Sequence, residues 1–369
     1  MGSVRIVAFV LGVLAVLVLG FVSRGEVGQF LLAGVQVLPF IVLAVLAQLA
    51  DVARTPERRA WASALTWIWL LLTVVAFGLF AVLLAGTALF VDGAPPSGTQ
   101  LGLLLIFIPL SLLIALPILF RGVRRWIARY LPIDPDSLAQ TVALFFLVFF
   151  VLASFAQLAI LGGYPPILTA IQGANSEDLR GGRSEAGQML DLLYGLAWML
   201  PLALIAAGYP LRRSFRATIE RLGFVRPTRN QLLFGLGAAV GLVLLMNGVD
   251  RAITWIWTQA GWPMTDVEAF ERLLGAGISP VGAVVIGVTA GVGEEVVTRG
   301  LLQPRFSLLL PNLGFTAAHA FQYAPDALLG VFIVGMILAY VRARTNTTTA
   351  AVIHGTYDFI LVMLSAFGF

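Results

Sequence analysis

The amino-acid sequence predicts an all-α fold, a polytopic bundle of transmembrane helices. Hydrophobic residues make up 59% of the chain and charged residues only 11%, and the mean hydropathy is +0.95. This composition excludes an ordinary soluble globular protein. Apolar runs of the roughly 20 residues that cross a hydrocarbon core recur along the whole sequence. They leave no room for a separate soluble domain.

Apolar runs and turn residues together predict about eleven helical segments. In chain order these lie near 4–22, 28–50, 61–91, 101–120, 138–162, 189–209, 232–249, 281–302, 312–323, 326–342 and 347–366. The first run resembles a signal sequence but lacks a small-residue cleavage pattern, so we interpret it as a retained span. The third must tilt or emerge from the membrane because of its length, and the ninth is short.

Arginine placement predicts the orientation of these spans. The chain has no lysine, and its arginines cluster in the loops 51–60, 121–129 and 211–229. Cytoplasmic loops of membrane proteins are enriched in basic residues, so these three loops and the N-terminus are expected to be cytoplasmic. The intervening loops, at 92–100 and 175–188, are expected to face outward. Arginines in short loops report topology, so the expected partner is the lipid bilayer of the cell membrane, and no nucleic acid is expected.

Composition changes divide the chain into three regions. Residues 1–210 form an N-terminal transmembrane helical region of unknown role, residues 211–231 an arginine-rich cytoplasmic linker, and residues 232–369 the region with titratable groups. The linker has apolar residues at helical spacing against an arginine face, at Leu211, Phe215, Ile219 and Leu222. It is expected to lie along the inner leaflet as an amphipathic helix, and a solvated connector is the alternative. Residues 250–279, with three tryptophans, are expected to form an outer interfacial segment.

Titratable residues are concentrated in the last quarter of the chain. Both histidines of the sequence, His319 and His354, lie there in apolar stretches, close to Glu294, Arg299 and Asp358. A charged group at mid-bilayer depth costs roughly 2.5–3.5 kcal/mol, so such a cluster indicates pairing or a chemical use. The absence of cysteine from the chain excludes disulfides, thiolate metal sites and a cysteine nucleophile.

The first motif is Glu294-Glu295 followed by Arg299. Glu295 and Arg299 are four residues apart, so on a helix they share a face and are expected to form a buried ion pair. Adjacent residues diverge by about 100° around an α-helix, which directs Glu294 elsewhere. Glu294 is therefore the carboxylate available for chemistry.

Two further motifs each contribute one imidazole. Phe315 precedes His319 by four residues, and Asp358 follows His354 by four. Phe315 is interpreted as a packing residue. At 1.5 Å per residue, Glu294 lies about 12 Å and His354 about 9 Å from the cytoplasmic ends of their helices. His319 reaches this depth if its helix begins near Asn312, and the site is then expected to open toward the cytoplasmic half.

Small residues are expected to bring these helices together. Gly287 and Gly291 form a small-xxx-small pair, a pattern that allows close approach of membrane helices. The approach would let the side chains of the three motifs meet.

The ordered motifs E-E-x-x-x-R, F-x-x-x-H and H-x-x-x-[N/D], within residues 281–359, resemble those of the CPBP intramembrane proteases. This family includes the CAAX prenyl endopeptidases and bacteriocin-immunity-associated relatives. The resemblance implies that residues 232–369 hold a protease core of the glutamic endopeptidase type. Its substrate would be a membrane-associated protein or peptide.

Carried over by position, the resemblance implies that Glu294 and His319 hold and deprotonate a water that attacks the peptide carbonyl. His354, supported by residue 358, would stabilise the oxyanion, while Glu295 and Arg299 order the site. Where the prenyl proteases have asparagine, this chain has Asp358, whose carboxylate accepts hydrogen bonds and cannot donate one. We expect Asp358 to orient His354 and favour its protonated form.

Three alternatives stay open. Glu294, His319 and His354 could supply three zinc ligands with an open position, although the chain has no H-E-x-x-H helix and the resemblance implies a mechanism without a cofactor. A proton-coupled transporter could use the same cluster, but it would require broken helices and polar residues in both halves. A catalytically silent scaffold with this fold would carry the same motifs.

Overall fold

The computed structural model describes residues 25–91, 96–172, 174, 179 and 181–368, together with residues 12, 18, 19 and 22. These residues are helical with short connections and contain no β-strand. The predicted all-α fold is confirmed. The predicted segment 4–22 lies largely outside the described residues.

The helices are α1 (Gly25–Val35), α2 (Leu38–Asp51), α3 (Pro56–Leu89), α4 (Gly98–Ala115), α5 (Arg121–Ile127), α6 (Leu138–Ile160), α7 (Pro166–Ala170), α8 (Glu185–Ala206), α9 (Phe215–Leu222), α10 (Arg229–Ala260), α11 (Val267–Leu274), α12 (Pro280–Val288), α13 (Gln303–Phe306), α14 (Leu309–His319), α15 (Pro325–Arg344) and α16 (Thr347–Ala366). A 3₁₀ turn, Leu116–Leu119, extends α4, and two π-helical segments, Thr289–Glu294 and Val296–Leu302, continue α12.

Eight of the described helical spans are long and apolar enough to cross a membrane, and there are up to nine if the bent pair α1–α2 counts as one. The pair bends by 53° just before Pro39, which lacks the amide hydrogen that a continuous helix needs. The predicted count of about eleven is not confirmed. The segment 312–323 falls in α14, whose 11 residues are too short for a span.

Helix α10 is longer than its apolar run predicts. It covers the 32 residues Arg229–Ala260, whereas the sequence predicted a span near 232–249. Asp250 and Arg251 end the apolar run but not the helix, which continues until Gly261, at φ 65°, forms its left-handed C-cap. The beginning of the predicted interfacial segment 250–279 is therefore a helical extension.

The spans of the C-terminal half define two ends of the molecule. At the arginine end, which comprises residues 207–229 and 342–348, Thr347 Oγ1 donates to the Leu222 carbonyl oxygen at 2.7 Å. At the opposite end, which comprises residues 183–191, 261–279 and 322–326, Thr265 Oγ1 donates to Asp326 Oδ1 at 2.8 Å. Helices α10, α12, α15 and α16 run between the two ends.

The linker packs on the helical bundle. Ser214 caps α9, and Gly223, at φ 72°, ends it. Leu222 is 1% exposed and packs against Ala203, Ala207 and Val296. A Cβ at Gly223 would lie 2.7 Å from Thr347 Oγ1, so glycine allows the linker to approach α16. The proposed region boundaries at 210 and 231 stay a prediction.

The N-terminal helices pack on the helix that carries His319. Their largest core cluster includes aromatic residues of α6 and Phe306 of the C-terminal half. At the contact between α6 and α14, a Cβ on Gly314 would lie 2.4 Å from Leu147 Cδ1. The N-terminal region therefore supports α14 from one side.

Candidate active site

The first motif lies on π-helical backbone. Thr289–Glu294 and Val296–Leu302 are π-helical, with Glu295 between them. π-Turns are rare and occur frequently at functional sites. The motif was expected on a regular α-helix, so the α-helical angle expected between Glu294 and Glu295 does not apply.

Glycines bring this segment against α16. A Cβ at Gly287 would lie 2.5 Å from the Gly355 carbonyl oxygen, and one at Gly291 would lie 2.6 Å from the Ala351 carbonyl oxygen. Neither backbone oxygen can move cheaply, so these positions require glycine. The predicted close approach at Gly287 and Gly291 is confirmed, and it places the two glutamates beside His354.

Glu295 and Arg299 form a buried contact. Arg299 Nη1 lies 3.2 Å from Glu295 Oε1, and both side chains are 0% exposed. Arg299 Nη2 also donates to the Gly335 carbonyl oxygen at 2.9 Å. The guanidinium carbon lies 4.5 Å from the centre of the Phe315 ring, a cation–π distance. Arg299 thus contacts three elements at once.

His354 is held by Glu295. Its Nδ1 lies 2.9 Å from Glu295 Oε1, and because a carboxylate only accepts, this nitrogen donates. The other ring nitrogen, Nε2, lies 3.5 Å from Asp358 Oδ2 and 3.9 Å from Glu294 Oε2. The ring thus donates its hydrogen bond to Glu295, a residue 59 positions away in the chain, and the expected orienting role of Asp358 stays a prediction.

His319 ends α14 with one nitrogen bound to the backbone. Its Nδ1 lies 2.9 Å from the Phe315 carbonyl oxygen, which can only accept, so Nδ1 donates. In a neutral ring Nε2 is then an acceptor. The ring stacks on Tyr323 with centroids 5.8 Å apart and an angle of 3° between planes. Helix α14 begins at Leu309, three residues before the predicted start. Ser307, at φ 63°, separates it from α13.

Two amide side chains that were not predicted as site residues, those of Asn312 and Gln303, lie next to the site. Asn312, 1% exposed, donates from Nδ2 to the Phe332 carbonyl oxygen at 3.0 Å. Gln303 donates from Nε2 to the Ala339 carbonyl oxygen at 2.8 Å. Asn312 thus fastens α14 to α15, and Gln303 fastens the end of the π-helical segment to α15, as Arg299 does through Gly335. Uncharged amides in an apolar run could have been noticed, because buried polar groups require partners.

Four predicted site residues, Glu294, His319, His354 and Asp358, line one cavity of about 870 Å³. Glu295 and Arg299 lie behind its wall, and Phe315 contributes to the lining. Phe315 contacts both imidazoles, with ring centroids 4.7 Å from His319 and 5.9 Å from His354. The cavity thus collects side chains from the π-helical segment, α14 and α16.

The cavity extends away from the arginine end, toward the opposite end of the molecule. Its lining continues to Gln188, Asp191, Asp250 and Leu274. The opening was expected on the side of the arginine loops, but the cavity extends toward the other end of the bundle. The bundle is closed on the arginine side by the linker and by the hydrogen bonds of Arg299, Gln303 and Asn312. The depth of a residue along its own helix does not reveal such a closure.

The zinc alternative requires three donor side chains placed around one point. In the part of the chain that the structure describes, no three His, Asp or Glu side chains are placed to hold a metal ion. Glu294 Oε2 and Asp358 Oδ2 lie 3.9 Å and 3.5 Å from His354 Nε2, without forming such a set. The zinc alternative stays a prediction.

Comparison with known proteins identifies the segment that carries the motifs. A family model described as type II CAAX prenyl endopeptidase Rce1-like matches residues 277–360. The resemblance found in the motifs is confirmed for this segment. No curated protein and no solved structure matches the chain.

Proposed function

We propose that the chain hydrolyses a peptide bond of a membrane-associated protein or peptide. The match of residues 277–360 to the type II CAAX prenyl endopeptidase Rce1-like family model supports this proposal. The observation that carries this proposal is the arrangement of the four titratable side chains. Glu294, His319, His354 and Asp358 come from three helical segments and line one cavity.

Glu294 and His319 are proposed to activate a water molecule. Glu294 is an acceptor as a carboxylate, and His319 Nε2 is an acceptor because Nδ1 already donates to the backbone. A water donating to both would keep an oxygen lone pair for the peptide carbonyl carbon. Glu294 takes the water proton and returns it to the leaving nitrogen as the carbon–nitrogen bond breaks. No acyl-enzyme forms.

His354 is proposed to stabilise the oxyanion. Its Nδ1 donates to Glu295, so only the doubly protonated ring can also donate from Nε2. Carboxylates of Glu295, Asp358 and Glu294 lie within 3.9 Å of the two ring nitrogens, so a doubly protonated ring has acceptors on both sides. A charged donor aimed at the developing oxyanion is the usual means of lowering the barrier of acyl transfer.

The experiment compares Glu294→Gln with Glu268→Gln in membranes and as purified protein. Glu268 lies at the opposite end with a side chain 90% exposed, so its variant controls for the loss of one carboxylate. We expect Glu294→Gln to lower cleavage at least a hundredfold, as for removal of a general base, with little change in thermal stability. New peptide termini in membrane proteomes, counted by mass spectrometry, provide the readout.

The same experiment separates the alternatives. Termini that depend on the chain but persist in Glu294→Gln would contradict the glutamate mechanism. A chain that produces no new termini in any form would favour the silent scaffold. Proton flux in liposomes that Glu294→Gln abolishes, without cleavage, would favour the transporter. Activity lost on treatment with a chelator and restored by zinc would favour the metal alternative.

A further inference from the structure

A second cavity, of about 420 Å³, lies at the arginine end between the N-terminal helices and the π-helical segment. It is separate from the catalytic cavity and shares no lining residue with it. Its inner part is apolar, with Phe40, Phe146 and Phe150 along α2 and α6. From Ala139 to Phe150 the lining follows α6 for about 16 Å at 1.5 Å per residue. The apolar part is thus long and narrow.

Four arginines stand at the other end of this cavity. Arg212, Arg213, Arg221 and Arg305 line it, and no acidic residue belongs to the described lining. Two of them use part of their donor capacity on backbone, Arg213 on the Ala207 carbonyl oxygen and Arg221 on the Gly300 carbonyl oxygen. The positive charges of these arginines act on one another: those of Arg305 and Arg213 on Arg221, and those of Arg212 and Arg305 on Arg213.

One carboxylate near this group offsets only one of its four positive charges. Asp51 Oδ2 lies 3.6 Å from Arg212 Nη1, and Asp51 also accepts from Ser137 Oγ at 2.6 Å and from the Leu138 amide at 2.7 Å. Burial lowers the pKa of Arg221 to about 10, and the positive charges of Arg305, Arg213 and Arg342 act in the same direction. The cluster therefore holds excess positive charge next to apolar space.

The cavity is also lined by a buried side chain whose hydrogen-bond acceptor has no partner. Gln48, 3% exposed, lines the cavity and donates from Nε2 to the Ala206 carbonyl oxygen at 2.9 Å. Its Oε1 has no hydrogen-bond partner, although buried polar atoms normally have one. A ligand hydroxyl would satisfy it.

We propose that this cavity binds one anionic phospholipid, with the phosphate among Arg212, Arg213, Arg221 and Arg305 and an acyl chain along Phe40, Phe146 and Phe150. Arginine pairs with phosphate through two parallel hydrogen bonds. Basic pockets between transmembrane helices are known to take such headgroups. A glycerol headgroup would also donate a hydroxyl to Gln48.

The N-terminal helices and the C-terminal part of the chain meet at this cavity. Its lining includes residues of α2 and α6 on one side and Val297, Leu301 and Arg305 on the other. A bound lipid would fill space between the two parts and offset the repulsion among the arginines. We therefore expect it to stabilise the whole chain.

The test uses the full chain, delipidated in detergent. Dioleoylphosphatidylglycerol, dioleoylphosphatidylcholine and inorganic phosphate are titrated separately, with retained lipid measured by native mass spectrometry and stability by thermal unfolding. We expect phosphatidylglycerol to bind and to raise the unfolding temperature, and the other two probes to have little effect. Equal binding of both lipids would overturn the proposal, and equal stabilisation by inorganic phosphate would indicate a simple anion site and overturn it as well.

Variants localise the binding. Arg305→Gln should weaken phosphatidylglycerol binding roughly fivefold and Arg212→Gln with Arg305→Gln roughly 25-fold, since one basic residue near an anionic headgroup contributes about 1 kcal/mol. Ala143→Phe fills the apolar part without a change of charge and should weaken binding as well. Arg226→Gln, an exposed arginine outside the lining, should have no effect. Equal losses in Arg226→Gln and Arg305→Gln would contradict the assignment.

Discussion

The interactions of Arg299 illustrate what can be predicted for a single residue. The i,i+4 spacing was sufficient to predict its contact with Glu295. The hydrogen bond to Gly335 and the cation–π contact with Phe315 were not predictable, because they depend on how α14 and α15 pack. The same limit applies to His354, whose partner Glu295 is distant in sequence, and to Asp358, whose role stays a prediction. Motifs identify the residues of the site, whereas their hydrogen-bond partners depend on tertiary packing.

At this scale we predict that Arg299→Ala destabilises the fold. It would leave the Glu295 carboxylate buried without its cation, which costs about 3–5 kcal/mol in buried pairs. Thermal unfolding of the purified chain measures the loss. Arg226→Ala, at an exposed arginine, is the control and should unfold like the unaltered chain. Identical unfolding of the two variants would show that the buried pair does not support the structure.

At the scale of helices, the apolar runs predicted the existence of the spans more accurately than their ends. The last span, predicted at 347–366, matches α16 (Thr347–Ala366), because Asn346 caps it and polar residues flank it. Helix α10 exceeded its prediction, since charge ends an apolar run without ending hydrogen bonding along the backbone. The π-helical segments were not predicted, because the period of an α-helix was expected throughout.

At this scale we predict that Gly355→Ala disrupts the packing of α16. Its Cβ would lie 2.4 Å from the Gly287 carbonyl oxygen, and relieving such a contact typically costs about 1–3 kcal/mol. Gly248→Ala is the matched control, since a Cβ there has nothing within 4 Å and alanine favours a helix. We expect lower thermal stability and cleavage only in Gly355→Ala. Equal behaviour would mean that the helices can separate without consequence.

The whole molecule has a cavity at each end, one with the titratable cluster and one with arginines. Composition was sufficient to predict a polytopic membrane protein, and arginine placement predicted which loops share a side. The direction of the cavity with the titratable cluster was not predictable, because it depends on which ends of the helices are closed by hydrogen bonds and by the linker. If the arginine end is cytoplasmic, this cavity extends toward the other side of the membrane.

Cysteine labelling tests this orientation, and the chain contains no native cysteine. Glu268→Cys reports the opposite end and Arg226→Cys the arginine end. With a membrane-impermeant maleimide, we expect Glu268→Cys to react in intact cells and Arg226→Cys only after the membrane is opened. The reverse pattern would place the cavity on the cytoplasmic side and contradict the positive-inside assignment.

The central claim, that Glu294 and His319 act on one water, is tested most directly by a double-mutant cycle of cleavage rates with Glu294→Gln and His319→Asn. Residues that act as a unit give strongly non-additive losses. We expect the double variant to be about as slow as either single variant, with all three folded. If the two losses in activation free energy add, the residues act independently and the shared-water mechanism is wrong.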